Sequence, residues 1–321
     1  MLFLNQWDMK EAMTMKETID AIDLAYKIYE SNNFQMPTRM QVIEGENTLV
    51  LMPCMTSSAI GTKLVTVFPK NTSVPTLHSL VILNSSDTGE IKAILDGSFL
   101  TGFRTGAIGG SAVRHLAKAD VQSLAVIGTG VQGLYQAIAV CTERSITDIY
   151  LYNRTNEKIP PFIEQLKQWI KSSVNFHTCQ TVEEAIENAE IVVTATTSEK
   201  PVLPDKQELL IGKLFIGIGS FQSTMREFPD SLYKVTKQII VDSEDAVKES
   251  GDIIMPLKHG WIDEGSIITM SQYLYKKGKR NNDGNSVVFK STGMALFDVV
   301  TANMIYQRAV KKGLGTKLNL A

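Results

Sequence analysis

The stretch Leu124-Ala-Val-Ile-Gly128-Thr-Gly130-Val-Gln-Gly133-Leu-Tyr-Gln-Ala-Ile-Ala-Val140 constrains the fold more than any other part of the chain. An apolar run reads as a buried strand, the glycines after it fall in the G-x-G-x-x-G spacing, and the following apolar residues recur at helical period. Each glycine has its own task in such a strand, turn and helix. Gly128 makes the tight turn, Gly130 leaves bare backbone for a pyrophosphate, and Gly133 lets the helix pack closely on the strand. The helix then aims free N–H groups at the phosphates. The spacing alone is a weak signal, but the flanking strand and helix supply its context. The expected cofactor contacts are Gly128, Thr129, Gly130, Val131, Gln132 and Gly133.

From Ser123 onward, short apolar strands alternate with helices. The pattern predicts strands at 124–127, 149–152, 174–176, 191–195, 214–218 and 238–241, with helices at 131–141, 157–171 and 182–188. This is the signature of an α/β protein with a doubly wound parallel sheet, a Rossmann domain. Ligands of such sheets bind at the carboxyl ends of the strands. The residues there are Asn153-Arg154-Thr155, Thr194-Ala195-Thr196-Thr197 and Gly217-Ile-Gly219-Ser220-Phe221. An NAD enzyme normally carries Asp or Glu at the second strand end to hold the ribose hydroxyls. Here Asn153, Arg154 and Thr155 offer no carboxylate to repel a 2′-phosphate, and a guanidinium and a hydroxyl to bind one, so NADPH is expected, with NADH as a weaker alternative. A further strand at 286–289 runs into Ser291-Thr292-Gly293, a second place where backbone N–H groups could face the cofactor. The closing helix at 294–311 is expected to leave this domain and rejoin the first.

The N-terminal part reads differently. A helix over the first 30 residues repeats Met15, Ile19, Ile22, Ala25, Tyr26 and Tyr29, with Thr14 as cap before Glu17. Pro37 sets an extended entry into a strand carrying Arg39, whose plain reading is a solvated strand residue. Strands follow at 48–52 and 60–68, then a hairpin of 77–83 and 91–95 turned at Asp87-Thr-Gly89. Period two puts Lys63 on the face of Val65 and Val67. An ammonium on an apolar face is costly unless it meets an anion, although a lysine snorkelling from an edge strand is a rival reading. A long helix at 96–116 carries Arg104 one turn from Leu100 and Ile108, which sets a guanidinium on an apolar stripe where a carboxylate could be clamped. Glycines 102, 106, 109 and 110 weaken this helix by about 1 kcal/mol each relative to alanine, so a close backbone or cofactor approach is expected there.

The remaining composition narrows the class. A net charge of -2 gives no general field for nucleic acid or an anionic membrane. No apolar run approaches the roughly 20 residues that span a bilayer, and the opening residues are too short for a signal-peptide core. A cytoplasmic location is expected. Cys54, Cys141 and Cys179 are odd in number and widely spaced, which suits reduced thiols, and no metal site is expected. Residues 276–284 read as a solvated loop, and His78 as a satisfied structural histidine close in sequence to the candidate strands.

Taken together, several motifs resemble the ornithine cyclodeaminase/mu-crystallin family over nearly the whole chain. They are Pro37-x-Arg39, Gly61-x-Lys63-x-Val-Thr-Val-Phe-Pro69-x-Asn71, Asp96-Gly97 with Leu100-Thr-x-x-Arg104-Thr, the glycine turn, and Ser291-x-Gly293-x-Ala-x-x-Asp298. The resemblance implies a substrate-binding and homodimer-forming α+β domain, 1–115 with 296–321, and a Rossmann NAD(P)-binding domain, 116–295. It also implies that Arg39, Lys63 and Arg104 hold a substrate carboxylate in front of the nicotinamide, which reverses the plain reading of Arg39. One departure matters. Ornithine cyclodeaminases and related alanine dehydrogenases carry an aspartate after a glycine pair at the fifth strand end, where this chain has Phe221. A phenyl ring moves no proton.

The resemblance therefore points to the ketimine reductase branch: NADPH-dependent reduction of Δ1-pyrroline-2-carboxylate to L-proline, with Δ1-piperideine-2-carboxylate to L-pipecolate as a second substrate. The rival expectations are an NAD-dependent, ammonia-releasing ornithine cyclodeaminase, an alanine-type dehydrogenase, a dehydrogenase of N-carboxyalkyl amino acids, and a non-catalytic NADPH-binding protein of the mu-crystallin type.

Overall fold

The computed structural model describes residues 1–170, 173–276 and 284–319. Residues 277–283 of the loop expected at 276–284, and the last residue of the helix expected at 157–171, lie outside them. The chain divides into two compact units, Met1–Arg104 with Met294–Ala321, and Thr105–Gly293.

The first unit is built on an eight-stranded sheet in the order Thr316–Lys317, Leu2–Leu4, Ile91–Asp96, Leu77–Asn84, Ile60–Val67, Asn47–Thr56 and Phe34–Gln35, with Met40–Glu44 also pairing with Asn47–Thr56. Alternation along the strands separates its faces. Met52, Lys63, Val81 and Leu95 lie opposite one another across four strands and are buried. The neighbouring row, Met40, Leu51, Leu64 and Leu80, faces the other way. The helix Ala295–Lys312 packs on three of these strands and against the helix Met15–Ser31. Gly61 makes that approach possible, because a Cβ there would stand 2.9 Å from the Ile82 carbonyl oxygen and 3.0 Å from a Val299 methyl.

The expected cap of Met15–Ser31 is present, with the Thr14 and Glu17 side chains each accepting from the other's backbone N–H. The single helix expected over the first 30 residues is two, Gln6–Ala12 and Met15–Ser31, broken by extended backbone at Met13 and Thr14. The structure also corrects the reading of Arg39: it stands one residue before the strand Met40–Glu44, not within it.

The helix Gly97–Leu116 starts where Asp96 Oδ1 accepts from the N–H groups of Ser98, at 2.9 Å, and Phe99, at 3.2 Å. Two of its glycines have the reason the sequence asked for, and it is another helix. A Cβ on Gly106 would stand 2.5 Å from the Tyr135 carbonyl oxygen, and one on Gly109 would overlap the Gln136 amide. Gln136 Nε2 also donates to the Thr105 carbonyl at 2.7 Å.

The second unit holds an eight-stranded sheet in which every pairing is parallel. Its order is Asn175–Thr178, Asp148–Tyr152, Ser123–Ile127, Ile191–Thr194, Leu214–Gly217, Ser286–Lys290, Thr236–Val241 and Ile267–Thr269. The order reverses between Ser123–Ile127 and Ile191–Thr194, which makes the crevice at their carboxyl ends the place where such folds take ligands. The central strands are buried along their whole length, as strands covered on both faces must be. Among the described residues no helix is long and apolar enough to cross a membrane, and no cluster of three His, Cys, Asp or Glu is placed to hold a metal.

Candidate active site

In the first unit, Lys63 and Arg104 gather around Asp298, a motif residue to which the sequence reading gave no role. Lys63, on the strand Ile60–Val67, and Arg104 are 3% and 4% exposed, and Asp298, on the first turn of Ala295–Lys312, is fully buried. Asp298 receives both cations: Lys63 Nζ lies 2.9 Å from Oδ2, and Arg104 Nε donates to Oδ1 at 2.9 Å. Two buried cations share one carboxylate, so the cluster carries net positive charge. The Nη1 of Arg104 is buried and has no hydrogen-bond partner among the described residues.

Burial depresses the Lys63 ammonium to about 8; Asp298 opposes the fall, while Arg104 and Arg39 add to it. Burial alone would raise the Asp298 carboxyl, but Arg104 and Lys63 outweigh it and hold it below the ordinary range. Arg39 is half-buried, and its charge is felt at Lys63. His78 belongs to the outer face of the sheet and is exposed, opposite in sense to Lys63, so it does not line the Lys63 cluster.

In the second unit the three glycines have distinct surroundings. Gly128 has φ +103, and a Cβ there would meet the Ala195 carbonyl at 2.6 Å. A Cβ on Gly133 would overlap the Gly128 carbonyl oxygen. A Cβ on Gly130 would meet nothing within 4 Å, and Gly130 starts the helix Val131–Glu143 with no side chain among the described residues bonded to the free N–H groups. An open, uncapped helix N-terminus is a place for an anion. Thr129 is buried and its hydroxyl accepts from Asn153 Nδ2 at 2.5 Å, which ties the glycine turn to the end of the second strand. Val131 is exposed, and Gln132 is half-buried with its Oε1 unpartnered among the described residues. Asn153 Oδ1 accepts from the Thr155 N–H at 3.1 Å. Arg154 and Thr155 are exposed.

At the other strand ends the backbone donors already have protein partners. Thr194 is buried, Ala195 half-buried, and the N–H groups of Thr196, Gly219 and Ser220 all donate to the buried carboxylate of Glu227. The Gly293 N–H, expected to face a cofactor, donates instead to Asp242 Oδ2 at 2.7 Å, which also accepts from Ser291 Oγ at 2.6 Å. Sequence reasoning gave Glu227, Asp242 and Asp298 no role, although Asp298 ends the Ser291–Asp298 motif, for one reason: a lone acidic residue's role is unreadable until the fold surrounds it with donors. Phe221, just beyond the fifth strand end, is 45% exposed.

The thiols are poor nucleophiles. Burial drives Cys54 and Cys141 up to about 12 and Cys179 to about 11.

The profile of the ornithine cyclodeaminase/mu-crystallin family matches residues 1–313. A Delta(1)-pyrroline-2-carboxylate reductase from Bacillus thuringiensis subsp. konkukian is 34% identical, with 99% of each chain covered. The solved structure of Thermococcus litoralis Delta(1)-pyrroline-2-carboxylate reductase, in complex with NADH and L-proline, superposes with a TM-score of 0.91 at 32% identity, covering 99% of this chain and 100% of that one. An archaeal alanine dehydrogenase dimer with bound NAD superposes with a TM-score of 0.89 at 28% identity, covering 100% of this chain and 99% of the other.

Proposed function

Because the chain belongs to the ornithine cyclodeaminase/mu-crystallin family, we propose that it is an NADPH-dependent imine reductase that converts Δ1-pyrroline-2-carboxylate to L-proline and accepts Δ1-piperideine-2-carboxylate as a second substrate. The observation that carries this reading is the buried, net-cationic cluster of Lys63 and Arg104 around Asp298, with one guanidinium N–H group unclaimed. Buried charge seeks a counter-ion, and a small carboxylate supplies it. The similarity to reductases of this substrate, one of them holding L-proline, supports the assignment.

In this reading Arg104 and Arg39 bind the substrate carboxylate, and Lys63 donates a proton to the imine nitrogen. A nicotinamide cofactor supplies the hydride that reduces the imine carbon. The C=N double bond becomes a C–N single bond carrying one new C–H and one new N–H, and Lys63 recovers its proton from solvent. An ammonium held near 8 is matched to this task, since an acid works best when its pKa lies close to the working pH.

The second unit fits such a cofactor. Gly130 and the uncapped helix behind it would take the pyrophosphate, with Gly128, Thr129, Val131, Gln132 and Gly133 forming the turn. Asn153, Arg154 and Thr155 would take the adenine ribose and its 2′-phosphate. Arg154 is exposed, and the strand-end residues Asn153, Arg154 and Thr155 include no carboxylate. Thr194, Ala195, Thr196, Gly219, Ser220 and Gly293 would border the nicotinamide half.

We also infer a homodimer formed through the outer face of the first unit's sheet, where Met40, Val42 and Leu80 are 60%, 57% and 42% exposed. The dimeric state of the archaeal alanine dehydrogenase supports it. The cytoplasm, where free thiols stay reduced, is the matching compartment. The likeness to that same dehydrogenase favours a second reading, an amino-acid dehydrogenase of the alanine type; Phe221 speaks against it and against an ammonia-releasing cyclodeaminase.

The test is oxidation of NADPH with freshly generated Δ1-pyrroline-2-carboxylate, run beside assays for ammonia release from L-ornithine or L-alanine with NAD. Imine-dependent oxidation without ammonia supports the reductase. Ammonia from either amino acid, with no imine reduction, overturns it.

A further inference from the structure

The mechanism leaves unused a buried carboxylate that ties two strand ends of the second unit together. Glu227 is fully buried, and both of its oxygens only accept: Oε1 from the Thr196 N–H at 2.7 Å and the Thr196 hydroxyl at 2.9 Å, Oε2 from the N–H groups of Gly219 at 2.8 Å and Ser220 at 3.2 Å. Thr196 follows the strand Ile191–Thr194, and Gly219 and Ser220 follow its parallel neighbour Leu214–Gly217. One side chain thus replaces the backbone partners that both segments lose where the sheet ends.

Glu227 is itself anchored. Its own N–H and that of Phe228 donate to Asp252 Oδ1 at 2.9 and 3.0 Å, and Lys290, at the end of the next strand, places its fully buried Nζ 3.9 Å from Glu227 and 3.5 Å from Asp252. Gly219 has no alternative at this junction, because a Cβ there would overlap the Thr196 carbonyl and come within 2.5 Å of Glu227 Oε1. The glycine and the carboxylate form one closure.

These two segments lie on the half of a doubly wound sheet that takes the nicotinamide mononucleotide, whereas Gly128–Gly133 and Asn153–Thr155 serve the pyrophosphate and the adenosine. We propose that Glu227 is a positioning residue for the nicotinamide half of the cofactor: it sets the spacing of the Thr196 and Gly219–Ser220 segments without touching the cofactor. The proposal rests on the dinucleotide site described under Proposed function. A glutamine cannot take over, since its amide nitrogen would face the donors of one segment or of the other. Glu227→Gln therefore releases one segment while keeping side-chain volume.

The experiment is calorimetric binding of two probes, NADPH and its adenine-half fragment 2′,5′-ADP, to the wild-type protein and to Glu227→Gln. The expected result is an NADPH Kd raised about tenfold with the 2′,5′-ADP Kd unchanged, the scale of losing one charge-assisted hydrogen bond. A merely structural role would weaken both probes together, and no role would weaken neither; either result overturns the proposal. Should Glu227→Gln be insoluble, Thr196→Val removes a single donor to the same carboxylate. It should raise the NADPH Kd about threefold, about half the free-energy loss above, and speed amide hydrogen exchange at Gly219 and Ser220. Unchanged exchange there sinks the idea. Wild-type protein that binds neither probe would overturn the dinucleotide site itself, an outcome separate from these.

Discussion

Lys63 and Asp298, brought together from a strand near the N-terminus and a helix near the C-terminus, form a buried ion pair with Nζ 2.9 Å from Oδ2. Asp298 also holds Arg104, so a single carboxylate restrains two of the three cations that the sequence nominates. The pair links packing to chemistry: it keeps the ammonium from losing its proton in a buried site, and it leaves the cluster short of negative charge.

The pH profile should report this pair. With Lys63 depressed to about 8, kcat should fall on the basic side with a midpoint near that pH, as the donor loses its proton. Asp298 favours the charged ammonium, so Asp298→Asn should move the basic limb to lower pH. The stability sign differs: between about 8 and the ordinary lysine value of 10.5 the unfolded chain binds more protons at this site, so Lys63's contribution to stability rises with pH across that window. Steady-state profiles of both proteins decide the first point; an unmoved limb refutes it.

Arg104 should not be replaceable by lysine. Its Nε is held by Asp298 while Nη1 stays unpartnered, and only a planar fork serves two acceptors at once. Arg104→Lys should raise the KM for the imine about 10-fold to 100-fold, matching about 1.5–3 kcal/mol for a hydrogen bond to a charged group. The measurement is kcat and KM at saturating cofactor.

Arg154→Ala should lower the ratio of NADPH to NADH efficiency by about tenfold or more, through loss of a charge-assisted contact to the 2′-phosphate. The NADH value itself should hardly move. An unchanged ratio removes Arg154 from cofactor selection.

Gly130→Ala separates fold from ligand. Gly130 has φ −92, open to any residue, and nothing lies within 4 Å of a Cβ there, so the melting temperature should stay within error. The added methyl enters the space assigned to the pyrophosphate, and cofactor affinity should fall about tenfold. Gly133→Ala, whose methyl would overlap the Gly128 carbonyl, should cost about 1–3 kcal/mol of stability as an overpacked site. Thermal melts with cofactor titrations distinguish the two.

Leu80→Asp puts a charge on the outer row of the first unit's sheet, which Met40, Leu51 and Leu64 complete. It should convert the proposed dimer to a monomer in light scattering while leaving the melting curve cooperative. A wild-type protein that is monomeric at micromolar concentration would rule out this interface.

Local pattern carried much of the fold. The Thr14 cap, the period-two burial of Lys63, the glycine turn and most parallel strands follow from short-range rules of spacing, capping and backbone freedom. Where pattern failed, the elements were short or their partners distant. Gln6–Ala12 and Ile267–Thr269 are too brief for periodicity, and Arg39 sits one residue before the strand it was expected to occupy.

By itself, then, the sequence determined the element types, the parallel sheet and the residues whose chemistry suits a carboxylate and a dinucleotide, because those depend on neighbours within a few positions. Only the tertiary structure decided that Ser286–Lys290 inserts between Leu214–Gly217 and Thr236–Val241, and which buried acids hold the charged and glycine-rich segments: Asp298 for Lys63 and Arg104, Glu227 for Thr196, Gly219 and Ser220, Asp242 for Gly293. The physical reason is that a carboxylate's role is set by the donors that surround it after desolvation, and those donors come from parts of the chain that only folding brings together.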